Sequence, residues 1–386
     1  MVISFPKTNN DFSISISKRF ACRFCELKIL LVSERFAPSV GGIETVTRLL
    51  GGALVRGGHS VTIVTNECSK ENDGCAYRVL RRPNVIRLLK EYRSANVVIL
   101  HGPTTRLGWP LLFRERPAVV VHHMASGVCG IGLKSCLKTQ LIHRTHQAAV
   151  SSGLARVLDW RVEAILPNPY DDRVFRLEND VARDRDVVFV GRLIPEKGAH
   201  LLVEAVALLE KKGMAITATI VGDGPESNKL GQRIVCDHLN HRIQLAGRLT
   251  GFPLAQLLSR HRMLVVPSLH FEAFGLVALE GIACGCVVAG SRVGGVSEAI
   301  GPCGTTFERG NAESLAETLR EILEQPDKIQ RIRSGAEQHL AKHRPEAVAG
   351  RYLEFINGLG ELQRPRRAIV HQERELHEAR AKCALL

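Results

Sequence analysis

Residues 187–212 read VVFVGRLIPEKGAHLLVEAVALLEKK, and this stretch decides the fold. It opens with consecutive apolar residues, continues through a loop at 191–198, and ends in an apolar-periodic run that is typical of a helix. A strand that is apolar at every position is covered on both faces, as in a parallel sheet with helices on either side. The stretch therefore predicts a strand, a loop and a helix of an α/β domain.

The same alternation of short apolar blocks and longer helical runs occupies most of the 386 residues. In the first half it predicts strands at 28–33, 60–65, 96–100, 118–121, 148–151 and 162–166. After a charge-rich stretch it restarts, with strands at 187–190, 215–221, 243–245, 263–266 and 286–289. Because the chain is also too long for one typical core, we expect two Rossmann-like parallel-sheet domains.

The predicted domain boundaries follow from this restart. In chain order they are an extension at 1–26, a first domain at 27–170, a linker at 171–185, a second domain at 186–342, a helix at 343–358 and a charged tail at 359–386. We expect the extension to be disordered and the helix to pack back toward the first domain. The tail is rich in Arg and Glu, which is typical of a solvated segment.

Composition excludes several classes of protein. The longest apolar stretches are interrupted by His or Glu, and none approaches the roughly 18 to 20 residues that a transmembrane helix needs. The first 26 residues lack the apolar segment of a secretory signal. The 11 cysteines are odd in number and scattered, whereas a disulfide framework belongs to short secreted domains. We therefore expect a cytoplasmic protein.

The positive charge lies almost wholly in the first half of the chain. The net charge is +13, and the first 170 residues carry 23 Lys and Arg against 11 Asp and Glu. Aromatic residues make up only 5% and no nucleic-acid motif is present, so we expect no nucleic-acid partner and keep that role as a weaker alternative. An anionic membrane surface or a phosphate-bearing acceptor fits this charge at least as well.

One basic run combines this charge with apolar residues. Its cations are Arg78, Arg81, Arg82, Arg87, Lys90 and Arg93, and its apolar residues are Val85, Ile86, Leu88, Leu89 and Tyr92. Such a run can lie on an anionic membrane, so we expect peripheral contact there, at the inner face of the plasma membrane. An ordinary helix with its apolar face in the core is the alternative.

Glycine-rich turns follow several predicted strands, at the sheet edge where open α/β folds bind ligands. They are P-S-V-G-G-I-E at 38–44, G-R-L-I-P-E-K-G at 191–198, V-G-D-G-P at 221–225 and G-G-V-S-E at 294–298. Glycine lets the backbone approach a ligand, and a helix that starts there offers free N–H groups to an anion. In the second turn Arg192 and Lys197 supply two cations suited to a diphosphate, although two solvated surface charges would have the same pattern.

A pair of carboxylates follows the predicted strand at 263–266. Glu272 and Glu280 are eight residues apart, so both face one crevice if Glu272 lies at a helix start and Glu280 about two turns along. The N–H groups of residues 273–276 would then point at an anion. A capping acid at Glu272 and a core carboxylate at Glu280 are the structural alternative.

In their order and spacing these segments resemble the retaining glycosyltransferases of family 4, over about residues 28–355. The matching motifs are G-G-x-E at 41–44, P-N-x-x-D at 167–171, G-R-L-x-x-E-K-G at 191–198, G-D-G-P at 222–225, P-S-x3-E-x-F-G-x3-L-E at 267–280 and G-G-x-x-E at 294–298. The resemblance implies the GT-B fold, an α/β architecture of two Rossmann-like domains that face each other across a cleft. It also implies that the second domain binds a nucleoside diphosphate sugar and the first domain binds the acceptor.

The resemblance also assigns site residues by motif. Arg192 and Lys197 are expected to hold the diphosphate. Glu272 is expected near the donor sugar, and Glu280 on the ribose hydroxyls. Further donor contacts are expected from Gly42, Arg248, Ala273, Phe274, Gly275 and Leu276. The expected catalytic residues are His123, Arg192, Lys197 and Glu272, where His123 matches a strand-end His that often touches the donor sugar in this family and His122 is the alternative match.

Two positions depart from the family pattern, and two apparent metal motifs lack support. Pro169 stands where the motif usually has Gly, which fixes φ near about −65° and predicts a stiffer interdomain hinge. Ser297 stands where Pro is common. No metal is expected, because the D-x-D at 184–186 lies far in sequence from the diphosphate loop and the pair Cys22 and Cys25 has no partner pair at zinc-ligand spacing.

The expected function is transfer of a sugar, with retention of configuration, from a nucleoside diphosphate sugar to a hydroxyl of a saccharide or lipid-linked acceptor. The nucleotide sugar is a co-substrate, and no cofactor is expected. We place the reaction in cell-envelope or extracellular polysaccharide biosynthesis. Two alternatives stay open, namely a GT-B sugar-nucleotide epimerase and a pseudoenzyme that binds nucleotide sugars without turnover.

Overall fold

A computed structural model describes residues 26–39, 41–69, 76–113, 117–125, 132–178 and 180–361. These residues form two parallel sheets connected by helices. Cys22 and Cys25, the extension up to residue 25 and the tail from residue 362 lie outside the described residues.

The first sheet has its strands in the order β3-β2-β1-β4-β5-β6-β7, and every neighbouring pair is parallel. The strands are β1 (Lys28–Val32), β2 (Ser60–Thr65), β3 (Arg78–Arg81), β4 (Val97–His101), β5 (Ala118–His122), β6 (His146–Ala149) and β7 (Ala164–Ile165). Alternate residues of β1 enter separate cores, with Ile29 and Leu31 on one face and Leu30 and Val32 on the other. This double burial is the physical reason for the unbroken apolar run.

The second sheet has the order β10-β9-β8-β11-β12-β13, again with parallel neighbours. Its strands are β8 (Arg185–Val190), β9 (Ala218–Val221), β10 (Ile243–Gly247), β11 (His261–Val266), β12 (Val287–Ser291) and β13 (Gly304–Phe307). Met263 and Val265 of β11 face one core, and Leu264 and Val266 face the other. Both sheets therefore have the layered α/β architecture that the sequence predicts.

Amphipathic helices cover these sheets. In the first domain they are α1 (Gly42–Arg56), α2 (Val85–Ser94), α3 (Thr105–Gly108), α4 (Leu133–His143) and α5 (Ser152–Ala155). The remaining helices are α6 (Ala199–Lys211), α7 (Ser227–Cys236), α8 (Gly251–Ser259), α9 (Leu276–Ala283), α10 (Val296–Ile300), α11 (Ala312–Leu323), α12 (Pro326–Ser334), α13 (Ala336–Ala341) and α14 (Pro345–Glu361). In α1 the apolar stripe of Val46, Leu50 and Leu54 is buried, which is the spacing of one helix face. None of the described helices is long and apolar enough to cross a membrane.

Strands β3 and β13 were absent from the sequence prediction. Each lies at one end of its sheet, and each buries a single residue, Leu80 in β3 and Phe307 in β13. An edge strand of this kind has no continuous apolar run from which to predict it. Strand β8 also begins at Arg185, so the last residue of the predicted linker belongs to the second sheet.

The expected lipid-facing role of the basic run is wrong for two of its residues. Leu88 and Tyr92 are buried in the first-domain core, and the Tyr92 hydroxyl donates to the carbonyl of Leu107 at 2.8 Å. Val85 and Ile86 remain exposed, at 58% and 80%. The run therefore forms strand β3 and then the sheet-covering helix α2, which begins with two exposed apolar residues.

The chain crosses between the domains twice, and the crossings contact each other. The His343 carbonyl accepts from the Tyr170 N–H at 3.1 Å, and His343 Nδ1 lies 3.1 Å from the Asn168 carbonyl. Residues 166–171, which include Pro169, are buried. After the second crossing α14 packs on α1, where Arg56 forms an ion pair with Glu346.

Candidate active site

The loop after β8 holds the two predicted diphosphate ligands. A short 3-10 turn (Pro195–Lys197) leads into Gly198, whose φ of +68° lies in the left-handed region that glycine adopts readily. A Cβ at Gly198 would lie 2.1 Å from the Pro267 carbonyl oxygen. Only glycine therefore allows this loop to lie directly against the end of β11.

Lys197 and Glu272 form an ion pair across these two loops. The Lys197 ammonium lies 2.5 Å from a carboxylate oxygen of Glu272, which also accepts from the Ser268 hydroxyl at 3.0 Å. Both side chains keep partial exposure, at 27% and 21%. Arg192 is exposed, and no acidic side chain among the described residues pairs with it. The site therefore offers one pre-positioned cation and one free guanidinium.

Helix α9 starts beside this pair without a side-chain cap. Its N-cap is Gly275, with φ of +91°, and Leu276 is its first residue. The first N–H groups of a helix have no intrahelical partners, and the helix dipole makes this end attractive to an anion. Ala273 is half-buried, whereas Phe274 is buried and lies against the His343 ring at 5.5 Å between centroids. Residues 273–276 thus connect the anion-attracting helix end to the second crossing between the domains, at His343.

Glu280 occupies a different environment from Glu272. It lies two turns into α9 and is half-buried. Burial first, and then the charge of Asp171, raise the pKa of Glu280 to about 7. Asp171 itself is bound by Arg48 of α1 at 2.6 Å. The second carboxylate of the pair therefore lies toward the first crossing between the domains, near Asp171, rather than beside Lys197.

The other glycine turns of the second domain close around these loops. Cβ atoms at Gly222 and Gly224 would lie 1.8 and 2.4 Å from the carbonyl oxygens of Gly191 and Leu193. A Cβ at Gly294 would lie 2.0 Å from the carbonyl oxygen of Glu272. The structure thus brings the four second-domain motifs together at the carboxyl ends of the strands, where open α/β sheets bind ligands.

Two predicted donor ligands lie at the margins of this constellation. Arg248 is exposed just after β10, beside Gly247, whose carbonyl accepts from the Gly222 N–H at 2.8 Å. Gly42 is the first residue of α1, and a Cβ there would meet nothing within 4 Å. Both positions are open to solvent.

In the first domain, His123 follows β5 and forms a pair with His101, the last residue of β4. His101 Nδ1 lies 2.8 Å from His123 Nε2. Burial lowers the pKa of His101 to about 4, and burial with the two neighbouring imidazoles lowers the pKa of His123 well below its usual value. Both rings are therefore neutral at pH 7, and one donates a hydrogen bond to the other.

His122 has a different role from His123. The residue is 1% exposed, and its Nε2 lies 2.8 Å from Gln147 Oε1 and 3.1 Å from the Trp160 indole nitrogen. These contacts make His122 a core residue, which favours His123 as the strand-end match. His101 was missed by sequence reasoning, although its place at the end of the strand next to β5 could have indicated it.

Metal-ligating groups do not cluster in the part of the chain that the structure describes. No group of three or more His, Cys, Asp or Glu side chains that could hold a metal ion occurs there. The D-x-D motif lies at the amino end of β8, opposite the diphosphate loop. Asp184 pairs with Arg260 at 2.5 Å, and Asp186 accepts from the Thr217 N–H at 2.9 Å. These two aspartates are held by local structural contacts.

Two parallel α/β domains that meet at the carboxyl ends of their strands define the GT-B class of fold. Solved structures agree: a glycosyltransferase from Rickettsia africae aligns with a TM-score of 0.72 at 19% identity, covering 88% of this chain and 100% of that one. Anabaena HepE in complex with UDP aligns with a TM-score of 0.70 at 18% identity, covering 86% and 100%.

Sequence comparison specifies the family. Residues 173–339 match the family Glycosyl transferases group 1, and residues 40–190 match Glycosyltransferase Family 4. A Mycobacterium tuberculosis glycogen synthase is 34% identical over 379 residues, covering 81% of this chain and 90% of the relative. The gpi3 subunit of a Schizosaccharomyces pombe phosphatidylinositol N-acetylglucosaminyltransferase is 25% identical over 331 residues, covering 76% and 72%. The chain belongs to the group 1 glycosyltransferases.

Proposed function

We propose that this glycosyltransferase moves a sugar, with retention of configuration, from a nucleoside diphosphate sugar to a hydroxyl of a saccharide or lipid-linked acceptor. The observation that carries the proposal is the position of Lys197 beside Glu272 and the uncapped start of α9, with Arg192 on the same loop as Lys197. Two cations and a helix N-terminus form a site for a diphosphate. The Anabaena neighbour was solved with UDP and also with UDP-glucose, which supports a donor of this class.

The chemistry requires little covalent participation by the protein. As the glycosidic bond breaks, the sugar develops oxocarbenium character and the departing nucleoside diphosphate gains negative charge. Lys197, Arg192 and the N–H groups of α9 stabilise that charge, and no metal ion is required for it. The acceptor hydroxyl then attacks from the face that the leaving group vacates, which retains the configuration.

His123 has the role of a neutral donor-sugar ligand in this proposal. One nitrogen of its ring contacts His101, so the other nitrogen is available for a sugar hydroxyl. The low pKa of His123 keeps the ring uncharged at physiological pH. A neutral ring exchanges hydrogen bonds with a hydroxyl without competing with the cations for the diphosphate.

The relatives support two classes of acceptor, a saccharide and a lipid. A glycogen synthase by its name extends a saccharide, and a phosphatidylinositol N-acetylglucosaminyltransferase by its name acts on a lipid. The first domain begins α2 with exposed Val85 and Ile86 next to Arg87, which suits peripheral contact with an anionic membrane. We accordingly propose action at the cytoplasmic face of the plasma membrane in cell-envelope or extracellular polysaccharide biosynthesis.

The test is a thermal-shift screen of UDP-, GDP- and ADP-sugars, followed by acceptor-dependent release of the nucleoside diphosphate in the presence and absence of chelator. We expect one nucleotide class to stabilise the protein and Lys197→Ala to abolish most turnover. Lys211→Ala is the matched control, because Lys211 is exposed at the last residue of α6, the helix whose first residue follows the loop. Acceptor-independent conversion of the donor sugar would indicate an epimerase, and binding without turnover a pseudoenzyme.

A further inference from the structure

Three segments from the two domains meet where the ends of β6, β11 and β12 come together. They are residues 151–153 of the first domain, and residues 272–273 and 294–298 of the second. We call this contact the interdomain latch. It contains the G-G-x-x-E motif, whose glutamate, Glu298, received no role in the sequence analysis.

Glu298 of α10 is the charged part of the interdomain latch. One carboxylate oxygen accepts from the Ser152 N–H at 2.9 Å, and the other accepts from the Gly153 N–H at 2.8 Å. These are the first two N–H groups of α5, which have no intrahelical partner. Hydrogen bonds to an ionised carboxylate are roughly twice as strong as neutral ones. A second-domain side chain therefore completes a first-domain helix.

Ser151 connects the same turn to the donor loop. Its hydroxyl accepts from the Leu154 N–H at 3.0 Å and donates to the Ala273 carbonyl at 2.6 Å. Ala273 directly follows Glu272, whose carbonyl in turn accepts from the Gly295 N–H at 2.8 Å. The backbone that carries the Lys197 partner is thus held between a second-domain glycine turn and a first-domain serine.

Glycine makes this close approach possible on both sides. A Cβ at Gly153 would lie 2.4 Å from the Gly294 carbonyl oxygen, and a Cβ at Gly295 would lie 2.6 Å from the Ser151 hydroxyl. A carbon atom cannot approach an oxygen so closely without a bond, so a side chain at these positions would push the two domains apart. The contact is as close as the backbone permits.

We propose that Glu298 is a positioning residue that sets the donor loop against the first domain. Both of its carboxylate oxygens accept from backbone N–H groups of the first domain, and it acts through the interdomain latch on the relation between Glu272 in the second domain and His123 in the first. The catalytic part of this inference rests on the proposed function. The structural part does not, because it concerns a contact that can be measured without substrate.

The test compares Glu298→Gln and Gly153→Ala with wild type and with Glu313→Gln, an exposed second-domain carboxylate that serves as control. Glutamine keeps the volume of Glu298 but has only one acceptor oxygen and no charge. Hydrogen–deuterium exchange of peptides covering residues 151–156 should then accelerate by about tenfold or more in both latch variants. A role confined to the second domain would not change exchange in the first.

The same variants test the positioning role. Because the diphosphate ligands all lie in the second domain, UDP affinity should change by less than about threefold, whereas kcat should fall by about tenfold to a hundredfold. Unchanged exchange at 151–156 in both latch variants would overturn the latch. Faster exchange with an undiminished kcat would overturn the positioning role. If wild type shows no acceptor-dependent release with any nucleotide sugar, the proposed function fails, and the exchange result still decides whether the latch exists.

Discussion

Replacing Glu280 by Gln should stabilise the protein at alkaline pH while weakening nucleotide binding. The pKa of Glu280 rises from 4.5 to about 7 on folding, because the carboxyl group is buried and Asp171 adds a like charge. Between those pH values the folded state binds more protons than the unfolded state. The free energy of unfolding therefore falls as pH rises from 4.5 to 7, and the whole cost is present above pH 7.

One pKa unit corresponds to about 1.36 kcal/mol, so this cost is at most about 3.4 kcal/mol. Because Glu280 keeps some exposure to solvent, we expect the actual cost in free energy of unfolding to be smaller than this maximum. Glutamine carries no charge at any of these pH values, so the variant avoids the cost. The change should raise the melting temperature at pH 8 by a few degrees and leave it unchanged near pH 4.5.

Scanning calorimetry of both proteins at pH 4.5, 6 and 8 measures the effect, with Glu313→Gln as the exposed control. Equal melting temperatures for variant and wild type at pH 8, or a less stable variant, would show that Glu280 is a well-solvated or hydrogen-bonded carboxylate. In the same samples, nucleoside diphosphate should stabilise Glu280→Gln less than wild type, because the variant lacks the carboxylate that the family resemblance assigns to the ribose hydroxyls. An undiminished ligand shift would remove Glu280 from the donor site.

Three further predictions concern other parts of the molecule. Arg192→Ala and Lys197→Ala should each lower kcat by about 10² to 10³ with an unchanged melting temperature. If both cations hold one diphosphate, kcat of the double variant should fall by less than the product of the two single reductions. Near-normal turnover in both single variants would refute this placement. Folding lowers the pKa of His101 from 6.5 to about 4, so stability should fall as pH drops from 6.5 to 4. His101→Gln should flatten that dependence in thermal melts, and a parallel pH profile would contradict the buried neutral pair. Wild type should float with anionic liposomes at low salt, more so than Ile86→Asp; flotation that is equal for both proteins, or absent, would end the membrane hypothesis.

The sequence predicted the strands that lie inside the sheets and missed those at two of the edges. Interior strands such as β4 are apolar throughout because helices cover both faces, and that pattern is visible in the sequence. Strands β3 and β13 bury one residue each and resemble loops. Leu88 and Tyr92 show the complementary error, since a core-facing helix stripe and a lipid-facing stripe have the same spacing.

The candidate site was predictable where each of its residues lies in a recognisable sequence motif. Lys197 and Glu272 are 75 positions apart, yet each lies in a recognisable strand-end segment, and the order of strands brings the two segments together. The contacts of Glu298 were not predictable, because its partners at 152 and 153 are backbone N–H groups in another domain. Every residue except proline has a backbone N–H group, so the sequence of the partner segment does not reveal a hydrogen bond to its backbone.

The two crossings of the chain have a consequence for how this enzyme could be recombined. Since α14 returns to pack on α1, the second domain is topologically an insertion within the first, bounded by the contact of Asn168 and Tyr170 with His343. A chimaera that exchanges everything after the first crossing would import a foreign α14 onto the native α1 surface. An exchange confined to the segment between the crossings would keep that helix pair intact and transfer the proposed donor-binding domain as one unit. The incoming domain would need an acidic residue at the position of Glu298 to bind the first domain in the same way.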